Sequence, residues 1–207
     1  GVYTGGDAIA IGRSALAALT SGNNNVAVGA LALNANTTAD NNTAVGKAAL
    51  SQNTTGTGNT AVGTLAMEDN TTGSYQVAVG MECLESNTTG TENTAIGNSA
   101  MESNTTGSYN VAVGRVALNA NTTGEENIAI GFYALDVNTT GVANVAVGSG
   151  ALGANVAGDQ STAIGTNALF TQNPSGNADM NNTAVGFYAS RLLTTGTSNT
   201  AIGAYSS

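Results

Sequence analysis

The sequence predicts an all-β fold: a parallel β-solenoid, or β-roll, of twelve rungs with a 17-residue period. Three observations carry this. The tripeptide Ala-(Val/Ile)-Gly ends at Gly12, Gly29, Gly46, Gly63, Gly80, Gly97, Gly114, Gly131, Gly148 and Gly165 in steps of 17, then at Gly186 and Gly203 after steps of 21 and 17. Before each of these glycines, β-branched residues alternate with alanine, a period of two that belongs to a strand. An Asn-Thr-Thr turn signal recurs at one fixed phase of the repeat, from Asn36 to Asn138. A period of 17 is too short for a helical hairpin repeat of more than about 30 residues, and it suits one rung of a solenoid.

Each element of a rung has its own reading, taken here from Asn110 to Glu126. Val111 and Val113 share one face of a short strand and are expected to fill the coil interior. The opposite face carries Ala112 and Gly114. A solvent face would normally be polar, so a stripe of Ala and Gly predicts close contact with another backbone. That stripe, Ala27, Ala44, Ala61, Ala78, Ala95, Ala112, Ala129 and Ala146, is expected to be a self-association interface. Ala117-Leu118 begins a second thin strand, with Leu118 completing the interior. Asn121-Thr122-Thr123-Gly124 forms a turn, in which Gly accepts positive φ and Asn and Thr bond nearby backbone. Repetition at one phase should stack these side chains into ladders along the rod. Rungs about 4.8 Å apart would give a rod of roughly 55 Å.

The whole chain, residues 1–207, reads as a single solenoid domain. A four-residue insertion lies within 166–185, beside the only proline, Pro174. The chain starts at Gly1, carries no signal peptide and stops partway through a repeat. It is expected to be a fragment of a longer fibrous protein.

Composition narrows the function. The chain is 41% hydrophobic but only 8% charged, so it can bury a core made of small side chains. Net charge is −9, and the four cations, Arg13, Lys47, Arg115 and Arg191, are scattered. Clustered cations are what phosphate backbones and anionic membranes require, so neither nucleic acid nor a membrane surface is an expected partner. No apolar run approaches the roughly 20 residues of a membrane span, and no membrane insertion is expected. The chain has no His and one Cys, Cys83. A Ser-His-Asp or Cys-His triad is therefore excluded, as is a Cys/His zinc site. Glu68-Asp69 and Glu125-Glu126 are sequence neighbours whose side chains point apart, unlike a glycosidase pair set across a cleft. No enzyme activity, cofactor or metal is expected. Cys83 stands where other copies have Ala and is expected to be a small residue beside the core.

The aromatic residues interrupt the repeat. Phe132-Tyr133 and Phe187-Tyr188 occupy equivalent positions, and Tyr75 and Tyr109 share another phase. Exposed rings could stack on sugars, which makes these six the candidate glycan contacts. The competing reading is that variable positions accept whatever fits. The Asn-Thr-Thr copies also match a glycosylation acceptor pattern, although turn and ladder chemistry already accounts for them.

The motif N-x-A-(V/I)-G-x-x-A resembles the head repeat of trimeric autotransporter adhesins. The longer form, with A-L-x-x-N-T-T-G, is similar to repeat regions of phage tail fibres and of bacterial surface proteins that carry the intramolecular chaperone of phage tail spikes. The 17-residue period departs from the adhesin heads, where about 14 to 15 is usual. The resemblance implies a left-handed coil, a homotrimer and an extracellular location on a virion tail fibre or a bacterial surface. The expected function is a self-associating structural fibre shaft. The alternative is an adhesin-like binding head whose partner is a host-surface glycan or protein receptor.

Overall fold

The computed structural model describes residues 5–207. Its strands in chain order are β1 (Ile9–Ile11), β2 (Val26–Val28), β3 (Thr43–Val45), β4 (Thr60–Val62), β5 (Val77–Val79), β6 (Thr94–Ile96), β7 (Val111–Val113), β8 (Ile128–Ile130), β9 (Val145–Val147), β10 (Gly158–Asp159), β11 (Thr162–Ile164), β12 (Ala178–Asp179), β13 (Thr183–Val185) and β14 (Thr200–Ile202). Twelve of them form one parallel sheet in chain order, and β10 and β12 pair separately. The architecture is a parallel β-solenoid of about 11 turns, because the twelfth copy of the repeat supplies a strand without a complete turn.

The register follows the repeat. Ala112 pairs with Ala129 and Val113 with Ile130, each 17 residues on. Across the insertion Thr162 still pairs with Thr183, so the extra residues leave the main sheet undisturbed. They loop out instead, and Ala178–Asp179 pairs in parallel with Gly158–Asp159. The Thr140 hydroxyl donates to Asn177 Oδ1 at 2.8 Å and fastens this loop to an earlier rung.

Each rung holds one short strand in this sheet, where two were expected. The stretch from Gly114 to Leu118 is not a second strand, because its residues alternate in handedness: Val116 has φ 60° and Leu118 φ 51°. Left-handed backbone is costly for such side chains. Here it turns successive amides along the rod axis. Val116 N–H donates to Asn98 O on one neighbouring rung, and Leu118 N–H donates to Ala134 O on the other, both at 3.0 Å. Inter-rung hydrogen bonding therefore continues around the corner without extended backbone.

Gly114 explains how closely the rungs stack. Its φ is +135°, and a Cβ there would meet the Gly131 carbonyl oxygen at 2.6 Å. The expectation that this position approaches another backbone is correct, but that backbone is the next rung of the same chain.

The core is a thin column. From Ala27 to Leu169, the residues equivalent to Ala112, Ala117 and Leu118 are fully buried, with Met67 and Met101 taking the Leu118 position in two rungs and Cys83 the Ala117 position in one. A coil closed in 17 residues leaves no room for a larger side chain opposite the leucine column.

Candidate functional site

The strand face reverses the sequence expectation. Ala27, Ala44, Ala61, Ala78, Ala95, Ala112, Ala129 and Ala146 are all 0% exposed within the single chain. Their methyls line the interior, so they cannot form a stripe that meets another molecule. The β-branched residues point outward instead. Ile11, Val62, Val79, Ile96, Ile130, Ile164 and Ile202 are exposed, and Val28, Val45, Val113, Val147 and Val185 are half-buried in the same column. Beside them runs a second outward column of Thr, Val and Ile, from Ile9 to Thr200. The physical reason is volume. Alternation makes one residue set face in, and a coil this narrow admits only the methyl group.

The opposite side of the rung is held by amide ladders. Asn121 Nδ2 donates to Asn104 Oδ1 at 2.8 Å and to Gly124 O at 3.0 Å, and Asn138 repeats the pattern one rung on. A second ladder joins Asn110, Asn127 and Asn144, with Asn127 N–H donating to Asn110 Oδ1 at 2.9 Å. The Thr122 hydroxyl donates to Thr139 O at 3.0 Å. The expected ladders are present. Asn36, Asn53, Asn70, Asn87, Asn104, Asn121 and Asn138 are 0% exposed, so none can serve as a glycan acceptor in the folded chain. Leu19 and Leu193 stand at this phase in the outer rungs, and beside the first of them Asn36 Oδ1 is buried without a hydrogen-bond partner.

Cys83 is buried, donates from Sγ to Ala95 O at 3.2 Å, and has its pKa pushed up to about 12 by burial. It packs in the core as expected and has no character of a reactive thiol. Glu85 is pushed upward, first by desolvation and then by Glu102, Glu82, Glu68 and Asp69 on neighbouring rungs. Among the described residues no group of three or more His, Cys, Asp or Glu is placed to hold a metal ion. No helix among them is long and apolar enough to cross a membrane.

The six candidate aromatics fall in three separate places. Tyr75 and Tyr109 stand out from the corner before the strands, 67% and 53% exposed, on rungs separated by Glu92. Phe187 and Tyr188 pack edge-on at 4.1 Å, and both rings also meet Tyr205. Phe132 and Tyr133 pack edge-on at 4.3 Å and line a hollow of about 350 Å³ with Asp136, Ser149, Gly150, Gly153, Asn167 and Phe170. The sequence reading missed Phe170 and Asp136 because neither shares the phase of the Phe-Tyr pairs. The signal that finds them is the pair of glycines on the rung between. Asp136 is half-buried, and desolvation raises its pKa. No family model, curated protein or solved structure matches this chain.

Proposed function

We propose that this chain is the shaft of an extracellular fibre, a phage tail fibre or a similar appendage, and that it self-associates into a rigid homotrimeric rod. One observation carries the reading. The outward column of the sheet is Val or Ile on every rung from Ile11 to Ile202, and no charge or bulky ring interrupts it. Exposed apolar surface of this continuity marks an association face. The column runs the length of the rod, as a lateral contact between parallel copies requires. The left-handed coil, the threefold state and the extracellular location are what the repeat's resemblance adds, and a non-enzymatic role follows from the same reading.

Light scattering under native conditions tests it. A solution mass three times that of the 20.2 kDa chain is the expected result, and a stable monomer overturns the reading. Two variants assign the contact. Val113→Asp should dissociate the assembly, because it buries charges from all three copies together, while the monomer fold persists. Ala112→Leu should instead lower the melting temperature, whatever the mass, at a cost of about 1–3 kcal/mol from overpacking a closed interior.

A second reading is favoured by the aromatic hollow around Gly150: an adhesin-like module whose lateral surface contacts a host-surface glycan.

A further inference from the structure

The rung that follows Gly148 departs from its neighbours at two positions that lie side by side on the turn face. These are the second and fifth residues after the strand-ending glycine. The other rungs carry side chains there, such as Ser99 and Glu102, Val116 and Asn119, or Tyr133 and Asp136. This rung has Gly150 and Gly153. Asn167 and Phe170 of the next rung fold over these two buried glycines, and what remains open is the hollow between them and Phe132 and Tyr133, here called the notch.

The walls of the notch differ from the rest of the rod. Phe132 and Tyr133 stand on one side, and Phe170 and Asn167 on the other. A Cβ at Gly153 would lie 2.9 Å from Phe170 Cε2, so the missing side chain is what seats that ring. Two of the chain's four cations back the rings from outside. The Arg115 guanidinium lies 5.6 Å from the Phe132 centroid, and the Arg191 guanidinium 5.9 Å from that of Phe170. Asp136, Ser149 and Asn167 supply hydrogen-bonding groups among the rings.

We propose that this notch is a binding subsite for a neutral hexopyranose, presented by Phe132, Tyr133 and Phe170 with Asp136 and Asn167 as its polar contacts. The proposal rests on the binding reading above and specifies its ligand. A pyranose ring has an apolar C–H face that stacks on aromatic rings and a rim of hydroxyls that need paired donors and acceptors. Asp136 accepts from hydroxyls and repels a sugar carboxylate, which selects neutral over acidic glycans. The hollow of about 350 Å³ is at the small end of ligand sites, so one terminal sugar is held rather than a long chain. Asp136 is already half-desolvated, so burying its contact with a hydroxyl costs less than it would for a fully hydrated carboxylate. The lining of the notch does not include the outward Val/Ile column.

The experiment is binding of the labelled full chain to an array of neutral and acidic oligosaccharides, followed by calorimetric titration of a neutral saccharide retained on the array. Gly150→Ser with Gly153→Asn installs residues that other rungs hold at these positions, Ser99 and Asn119, and pushes Asn167 and Phe170 out into the hollow so that it is filled. Phe170→Asn removes the far wall and installs the residue of Asn34. Both should weaken the neutral saccharide at least tenfold, while Tyr75→Ala leaves it unchanged. Saturation-transfer NMR on the parent chain should show the sugar's ring protons contacting Phe132, Tyr133 and Phe170, which keeps the test independent of variant stability. Retention of acidic glycans alone, no neutral saccharide bound at about 10 mM, or undiminished binding by the filled variant overturns the proposal. Solution mass is a separate readout, so a failed shaft and a failed sugar site are told apart.

Discussion

The stretch from Gly46 to Gly131 and the stretch from Gly148 to Gly203 build the same sheet with different regularity. In the first, each rung repeats the interior closely: Ala on the strand, then Ala or Cys before Leu or Met, then Asn at the ladder. In the second, Gly150 and Gly153 open a notch, Gln172 replaces an asparagine, nine residues around Pro174 loop out (173–181), and Ser190 stands in the leucine column. Yet Thr162, Ala163 and Ile164 pair in register on both sides. The difference shows where the fold is constrained. The strand and its closing glycine hold register, because each amide there is committed to the adjacent rung. The turn side accepts substitution as long as a buried amide still finds a partner, as Gln172 does with Asn155, Ser161 and Asn182. In a one-dimensional stack, a local irregularity is confined to its nearest neighbours.

The largest effect should come from the constrained part of the regular stretch. Gly114→Ala places a methyl 2.6 Å from the Gly131 carbonyl, at a φ that L-residues rarely adopt. A loss of about 4 kcal/mol or more is expected, seen as a lowered urea midpoint. Gly176→Ala, in the inserted loop with nothing near its Cβ, should change stability by no more than about 0.5 kcal/mol. Equal effects of the two would break the contrast between sheet and loop.

Next comes the ladder. Asn104→Leu removes bonds to Asn87 and Gly107 and leaves the Asn121 amide short of an acceptor. Thermal unfolding should report a cost of about 2–3 kcal/mol. Leucine at this phase is accommodated in the outer rungs, at Leu19 and Leu193, so the cost belongs to the continuous ladder rather than to the side chain's size.

A smaller effect follows from Cys83. Its folded pKa of about 12 lies above the ordinary 9.0. The unfolded chain therefore loses the thiol proton first as pH rises, and stability falls between those values. The fall should reach about 1.4 kcal/mol by pH 10. Cys83→Ala is the reference, and it should lack this part of the slope. The folded thiol should likewise resist aromatic disulfide reagents at pH 8 until the chain is unfolded.

The smallest effect tests the irregular stretch by repairing it. Ser190 is 7% exposed at the phase of Leu152 and Leu169, with a left-handed backbone that the leucines also adopt. Ser190→Leu should stabilise by about 1 kcal/mol through added apolar burial. A destabilised variant would show that this rung has closed around the smaller residue.

Much of the fold was legible because the repeat is chemical as well as numerical. The 17-residue step, the parallel register, the Asn and Thr ladders, the buried Cys83 and the tight approach at Gly114 all follow from residue types recurring at fixed phase. The aromatic hollow was half legible. Phe132 and Tyr133 interrupt the repeat visibly, but Asp136 and Phe170 join them only through stacking across an intervening pair of glycines.

By itself the sequence determined the period, the axis of stacking and the hydrogen-bonding side chains that repeat along it. Only the tertiary structure decided which strand face is inside. A strand's two faces exchange under a one-residue flip, and here one face is alanine while the other mixes Val and Ile with Thr, so hydrophobic pattern alone does not choose between them. The choice was made by the width of the closed coil, which takes Ala112 inward and turns Val111 and Val113 out.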